Sequence, residues 1–163
     1  METMGASDRS GDVANEEGLP APAAEAAARA QGTVLIVEDD DATRTIYAQL
    51  LRLLGYQVEE ASEGRCGIER ARAVHPDLIL MDIGLPEVSG CAAARLLRAD
   101  ASTAQIPLLA FSATVDSFDA LRSLDDGGCF DGFVTKPATP SELAKRVSDC
   151  IEAKRSQSNE AAA

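Results

Sequence analysis

From Thr33 onward, short apolar runs alternate with longer amphipathic stretches, and this alternation limits the possible folds more than any other feature of the sequence. Continuous apolar strands that are separated by helices are typical of a parallel sheet with helices on both faces. The pattern therefore predicts an α/β fold with a doubly wound, five-stranded parallel sheet and five helices. The runs that predict strands lie at 34–37, 57–61, 78–81, 107–111 and 133–135.

The stretches between the strands carry the start and stop signals of helices. Asp40 or Asp41 is expected to cap the first helix, and Gly55 is expected to end it. Its apolar positions have helical spacing and form the expected buried face: Ile46, Leu50, Leu53 and Leu54. The remaining helices are expected at 63–74, 91–98, 115–124 and 139–155, the last of them beginning with a capping box at Thr139.

The two ends of the chain differ in composition from the region between them. Residues 1–31 contain almost no bulky apolar side chains and end in an Ala-rich run, which predicts a disordered tail. Residues 156–163 predict a polar C-terminal tail. The folded domain is therefore expected to span 32–155.

The composition excludes several classes of protein. The 27 acidic and 15 basic residues give a net charge of −12, and the sequence lacks the basic face of a nucleic-acid binder. The apolar runs are too short to cross a membrane, and no secretory signal precedes the domain, so a cytoplasmic location is expected. The four cysteines form no CxxC pair and are expected to be buried, reduced thiols.

Polar side chains follow four of the predicted strands. Glu38 and Asp39 begin an acidic run after the first strand, and Asp82, Ser112 and Lys136 lie at the ends of the third, fourth and fifth. Each has a purely structural alternative: helix capping for the acids, a turn for Asp82, a cap for Ser112 and a solvated charge for Lys136. Because the carboxyl ends of parallel strands meet at one edge, their coincidence favours a shared site.

Carboxylates that lie close together repel each other unless a cation lies between them. Mg²⁺ takes oxygen ligands, binds one or two carboxylates and leaves room for phosphate oxygens. Asp82 could then act as a nucleophile and form an aspartyl phosphate. Lys136 would offset the phosphoryl charge, and Ser112 would donate a hydrogen bond to it. The residue types therefore favour phosphoryl chemistry.

Four sequence motifs together resemble the receiver domain of two-component response regulators. They are VLIVEDD (34–40), DLILMDIGLPEVSG (77–90), SA (112–113) and FVTKP (133–137). Their order and spacing match that family across 33–153, and the wording of 77–90 is most similar to the single-domain DivK type, with the CheY type as a broader relative. The resemblance implies a flavodoxin-like receiver fold with strand order 2-1-3-4-5.

The resemblance also implies roles for individual residues. Asp82 would be the phosphoacceptor, with Lys136 and Ser112 as catalytic residues that contact the phosphoryl group. Mg²⁺ or Mn²⁺ would be held by Glu38, Asp39, Asp82 and the backbone carbonyl of Gly84. Ser112 and Phe133 would form a switch pair, with Phe in place of the Tyr that many relatives carry.

The expected function is that of a stand-alone response regulator, since few residues follow the last helix. It would accept a phosphoryl group from a sensor histidine kinase or a histidine phosphotransfer protein and signal to a downstream protein target. It would not be an enzyme beyond its own phosphorylation and dephosphorylation. One alternative is a phosphorylation-independent adaptor on the same fold. Another is a Mg²⁺-dependent phosphatase of the haloacid-dehalogenase type, which needs a second acid where this chain has Gly84.

A chain that begins at Gln31 should fold and accept phosphate at the same rate as the full chain, because the composition of the preceding segment offers no core and no charge pattern suited to the site. Denaturant unfolding and phosphorylation by a small phosphodonor would check this. A large loss of stability on truncation would show instead that the segment docks on the domain.

Overall fold

A computed structural model of the chain describes residues 31–125 and 128–162. Within these residues, five parallel strands form one sheet in the order β2-β1-β3-β4-β5, and five helices flank it. The predicted fold class and strand order are thus confirmed. The strands are β1 (Thr33–Val37), β2 (Gln57–Ala61), β3 (Leu78–Asp82), β4 (Leu108–Ser112) and β5 (Gly132–Thr135). The helices are α1 (Asp41–Leu53), α2 (Gly64–Val74), α3 (Gly90–Ala99), α4 (Phe118–Leu124) and α5 (Pro140–Ala161).

The sheet separates two apolar cores. Val34 and Ile36 of β1 pack in a core with α1 and α5, whereas Leu35 and Val37 pack in a second core with α2, α3 and α4. Successive residues of a strand point to opposite faces, so a strand that is covered on both sides is apolar throughout. This is why β1, β3 and β4 read as continuous apolar runs in the sequence.

The local signals that predicted the helix ends agree with the structure. The Asp40 carboxylate accepts a hydrogen bond of 2.8 Å from the Thr43 amide and caps α1. Gly55, just beyond α1, has a φ of 98°, a conformation that glycine adopts without strain. Thr139 and Glu142 form the predicted capping box at the start of α5.

The predicted buried face of α1 is only partly right. Leu50 and Leu54 are half-buried and pack against the core, but Ile46 is 61% exposed and Leu53 is 85% exposed. The fully buried residues are instead Tyr47, Ala48 and Leu51, so the helix is turned so that Leu50 and Leu54 lie along one side of the buried face. Tyr47 explains the difference, because its ring packs edge-to-face on Phe111 at 4.7 Å and its hydroxyl accepts a hydrogen bond from the Ala138 amide at 3.0 Å.

Two helix boundaries differ from the predictions by more than one residue. Helix α4 begins at Phe118 rather than at 115, because the Ser117 side chain caps it there. Val115 is nevertheless buried, and its carbonyl accepts a hydrogen bond of 2.7 Å from the Thr135 hydroxyl. Helix α5 continues through Ala161, so most of the predicted polar tail at 156–163 is an exposed extension of this helix.

The described chain begins at Gln31, and the predicted tail before it lies outside the described residues. The Gln31 amide donates to the Gly55 carbonyl at 3.0 Å, and its own carbonyl accepts from Arg155 at 2.9 Å. Gln31 therefore packs on the domain, one residue earlier than the predicted boundary.

The four cysteines all lie within the described residues and form no disulfide, but not all of them are buried. Cys91 and Cys129 are buried, Cys150 is half-buried and Cys66 is exposed on α2, which corrects the prediction for that residue. Among the helices that the structure describes, none is long and apolar enough to cross a membrane.

The start of α3 packs directly on the backbone that follows β3. The Gly90 amide donates to the Ile83 carbonyl at 3.0 Å. A β-carbon on Gly90 would lie 2.1 Å from the Asp82 carbonyl oxygen and 2.8 Å from the Ile83 α-carbon. Only glycine permits this approach, so α3 and the end of β3 are held in one arrangement.

Gly90→Ala should therefore lower the free energy of unfolding by about 1–3 kcal/mol, because backbone must move to admit the methyl group. Urea unfolding followed by circular dichroism would measure this. Gly84→Ala is the matched control, since a β-carbon there would only meet the Asp82 carboxylate at 3.7 Å. Equal unfolding midpoints for the two variants would contradict the prediction.

Candidate functional site

The carboxyl ends of four strands lie along one edge of the sheet and carry residues of the predicted site. Glu38 follows β1, Asp82 ends β3, Ser112 ends β4 and Lys136 follows β5. Strands β1 and β3 are neighbours, and the connections after them lead to opposite edges of the sheet. Crevices at such a switch in strand order are where open α/β sheets bind their ligands.

Three carboxylates meet at this crevice. Glu38, Asp39 and Asp82 each present an oxygen, and these oxygens lie within 4.8 Å of one another. Glu38 and Asp82 are 1% and 8% exposed, whereas Asp39 is open to solvent. A set of carboxylate oxygens with one open side is the donor chemistry that suits a hard divalent cation such as Mg²⁺.

Lys136 is the cation that lies closest to this cluster. Its ammonium forms an ion pair with Glu38, and it lies 3.5 Å from the second carboxylate oxygen of Asp82. The same ammonium lies over the Phe111 ring, 4.6 Å from its centre. The structure therefore brings Lys136 to both buried carboxylates, as the sequence analysis expected.

Burial raises the pKa of Glu38 above its usual value. The Lys136 ammonium and the Asp40 amide oppose this shift, because each of them donates a hydrogen bond to the carboxylate. The negative charge of Asp82 acts in the same direction as burial. The crevice is thus a place where negative charge is unfavourable unless a cation is present.

The loop after β3 holds the other oxygen of Asp82. The Gly84 amide donates a hydrogen bond of 3.0 Å to this oxygen. Gly84 therefore lies beside the carboxylate, as expected, although the contact in this structure is made by its amide and not by the carbonyl that was predicted as a metal ligand.

Ser112 ends β4 next to the crevice and is 6% exposed. On β5 it is in register with Thr135, the residue before Lys136. On β3, Asp82 is in register with Phe111, the residue before Ser112. The Ser112 hydroxyl accepts a hydrogen bond from the Thr114 amide at 3.1 Å and lies 3.0 Å from the Thr114 hydroxyl. Its neighbours here thus belong to the loop before α4.

Phe133, the second residue of the predicted switch pair, is buried, with 8% of its surface exposed. Its ring packs edge-to-face with Phe118 of α4 at 5.3 Å, and the Arg146 guanidinium of α5 lies 5.4 Å from its centre. The three side chains form what we call the aromatic stack. They border a cavity of about 520 Å³ between α4, β5 and α5.

Two residues beside the site, Arg44 and Thr114, were not among the predicted site residues. Arg44 lies one turn into α1, and one of its terminal nitrogens donates to the Glu38 carbonyl at 2.9 Å. A basic residue three positions after a run of four acids was the available signal for Arg44. The hydroxyl of Thr114, two residues after Ser112, was the signal for the second residue.

Comparison with known proteins agrees with this geometry. The sequence profile of the response regulator receiver domain matches residues 34–148. The polar-differentiation response regulator DivK of Brucella ovis is 37% identical over 115 residues, which cover 71% of this chain and 92% of DivK. The DNA-binding dual master transcriptional regulator RpaA of Synechocystis is 36% identical over 114 residues, which cover 70% of this chain but only 46% of RpaA.

Solved receiver structures have the same fold. The receiver domain of the sensor histidine kinase PA1611 from Pseudomonas aeruginosa, solved with a magnesium ion in its active-site cleft, superposes with a TM-score of 0.67 at 30% identity and covers 74% of this chain and 98% of that one. The chemotaxis protein CheY4 of Vibrio cholerae gives a TM-score of 0.67 at 26% identity, covering 74% and 99%. With a matching profile, a DivK relative and a common fold, the chain belongs to the response regulator receiver domain family, the phosphoacceptor modules of two-component signalling.

Proposed function

We propose that Asp82 is the phosphoacceptor and that it takes its phosphoryl group from a phosphohistidine of a sensor histidine kinase or a histidine phosphotransfer protein. The observation that supports this best is the position of Asp82 at the end of β3, within 4.8 Å of two further carboxylates and 3.5 Å from the Lys136 ammonium. A nucleophilic carboxylate needs such a cation nearby when its target carries negative charge.

The transfer step exchanges one bond for another. A carboxylate oxygen of Asp82 attacks the phosphorus, and a P–O bond forms while the P–N bond to the histidine breaks. The electron pair of the broken bond stays on the imidazole nitrogen, which takes up a proton. Lys136 then pairs with the phosphoryl oxygens, and the Ser112 hydroxyl donates to one of them. These residues are fixed by the strand ends, so orientation contributes to the rate.

Glu38, Asp39 and Asp82 would hold the divalent cation, together with the Gly84 carbonyl. The mixture of buried and exposed carboxylates fits Mg²⁺, or Mn²⁺, because both accept oxygen ligands and retain waters. When bound, the ion supplies positive charge to the phosphoryl oxygens during transfer. These four residues therefore bind the ion, whereas Ser112 and Lys136, at the ends of β4 and β5, bind the phosphoryl group.

We also propose that the chain catalyses only its own phosphorylation and dephosphorylation and signals through a downstream protein. Family membership favours this over a phosphatase of the haloacid-dehalogenase type, and Gly84 stands where that reaction needs a second acid. A phosphorylation-independent adaptor would have no need of the buried Lys136–Glu38–Asp82 group. Four cysteines without a disulfide between them fit a cytoplasmic location.

Asp82→Asn should abolish labelling by a small phosphodonor in the presence of Mg²⁺, because the amide cannot form an acyl phosphate. The label on the wild type should be sensitive to hydroxylamine and should be lost when Mg²⁺ is chelated. Intact mass spectrometry of the two proteins would measure this. Asp77→Asn, which changes a carboxylate at the opposite end of the same strand, is the matched control and should be labelled normally.

Three other results would each contradict the proposal in a different way. Full labelling of Asp82→Asn would place the modification elsewhere. A wild type that takes no label with Mg²⁺ would favour the adaptor, and repeated release of phosphate from an added phosphomonoester would favour the phosphatase.

We propose further that phosphorylation is transmitted from Ser112 to Phe133. When the Ser112 hydroxyl turns toward the phosphoryl group, it leaves its contacts with Thr114, and the loop that leads to α4 is then free to move. Because Phe118 of α4 covers Phe133, a shift of α4 alters the aromatic stack and the surface formed by α4, β5 and α5. The phosphoryl group needs to shift only a pre-existing equilibrium.

Beryllofluoride with Mg²⁺ should therefore change amide NMR signals both near Asp82 and across 112–118 and 132–135. Ser112→Ala should keep the changes near Asp82 and lose most of those at the aromatic stack. Ser123→Ala is the control, because it alters a hydroxyl on α4 that donates to the Asp119 carbonyl of the same helix. Changes confined to the loop after Asp82 in the wild type would contradict this route.

A further inference from the structure

Two basic side chains flank the acidic crevice, and they contact it in different ways. Lys136 pairs with carboxylate oxygens of Glu38 and Asp82, the same groups that make up the carboxylate cluster. Arg44 contacts none of the three clustered carboxylates in its described hydrogen bonds and ion pairs. Its contact with Glu38 is to the backbone carbonyl oxygen, at 2.9 Å. Arg44 therefore leaves the carboxylate oxygens of the cluster available.

The Arg44 guanidinium is held in place on three sides. Besides the Glu38 carbonyl, it donates to the Asp41 carboxylate at 2.5 Å, and its ε-nitrogen lies 3.6 Å from the Glu60 carboxylate on β2. Only 16% of the side chain is exposed. The other oxygen of Glu60 pairs with Arg52 at 2.9 Å. The guanidinium thus links β2 and the first turn of α1 to the loop that carries Glu38 and Asp39.

The loop has a second internal restraint that depends on the same geometry. The Asp40 amide donates to the Glu38 carboxylate at 3.2 Å, while the Asp40 carboxylate caps α1. A contact that fixes the Glu38 carbonyl therefore restrains the turn that carries the Glu38 and Asp39 side chains. Without Arg44, the carbonyl would lose a charged donor, and four consecutive acids would lose the cation that is closest to their backbone.

We infer that Arg44 is a positioning residue for the divalent-cation site, acting through the β1–α1 loop; this rests on the proposed function. Charge alone predicts the opposite effect, because removing a positive charge near a cation site should strengthen cation binding. Positioning predicts weaker binding, as with residues that orient metal ligands from behind. The sign of the change in affinity therefore separates the two roles.

The test is the Kd for Mg²⁺ of the full chain, measured by amide NMR titration without phosphodonor. Arg44→Gln should weaken Mg²⁺ binding about tenfold. Arg44→Lys keeps the charge but cannot reach the carbonyl and both carboxylates with one ammonium, so it should also weaken binding. Arg52→Gln is the matched control: it removes a charge from the same helix and a contact to Glu60, but no contact to the loop, and should bind Mg²⁺ like the wild type.

Mg²⁺ binding by Arg44→Gln that is unchanged or tighter than in the wild type would overturn the inference and leave the proposed function intact. An equal loss of affinity in Arg52→Gln would also overturn it, because the effect would then not pass through the loop. If Arg44→Gln fails to fold by circular dichroism, Arg44→Lys decides the question by the same criterion. A wild type that binds no Mg²⁺ would overturn the cation site itself.

Discussion

Repulsion between the buried carboxylates of Glu38 and Asp82, offset by the Lys136 ammonium, is the interaction on which the rest of this site depends. The Glu38 and Asp82 side chains are only 2% and 11% exposed, so water screens their charges poorly. Removing one member of a buried ionic group typically costs about 3–5 kcal/mol, because the remaining charge loses its partner. Lys136 follows β5 and is remote from Glu38 and Asp82 in the chain. The site therefore exists only when β1, β3 and β5 are assembled in register.

Contacts to backbone atoms hold the segments around the crevice in place. Gly90 allows α3 to touch the carbonyl of Asp82, and Arg44 holds the carbonyl of Glu38. At the other end of the sheet, the Arg98 side chain donates to the carbonyls of Cys129, Ala104 and Ile106, and so joins α3 to the loops that precede β4 and β5. Each of these contacts is made to main-chain atoms. The carboxylates of Glu38 and Asp82 thus lie next to backbone that is held by α1 on one face of the sheet and by α3 on the other.

The aromatic stack differs from a tyrosine that places its hydroxyl in water. Phe133 has no hydroxyl, and it is covered by Phe118 and Arg146. The covering residue is the exposed part of the stack, since Phe118 is 54% exposed and lies on the short helix α4. Burial of Phe133 could not be predicted from its own position, because it depends on side chains 15 residues before it and 13 after it.

The sequence alone was sufficient for the strand order through the family resemblance, and for the helix starts that Asp40 and Thr139 cap, because a cap acts within one turn. It also identified Glu38, Asp82 and Lys136 as a group, since polar residues at the ends of buried parallel strands have only one edge to share. It failed for half of the predicted buried face of α1, where Ile46 and Leu53 are more apolar than Ala48 and yet lie in solvent. Which side of that helix meets the sheet is decided by the fit of Tyr47 against Phe111 and Ala138. The tertiary structure alone decided this, and likewise the partners of Arg44, because both depend on distances between segments that are remote in the chain.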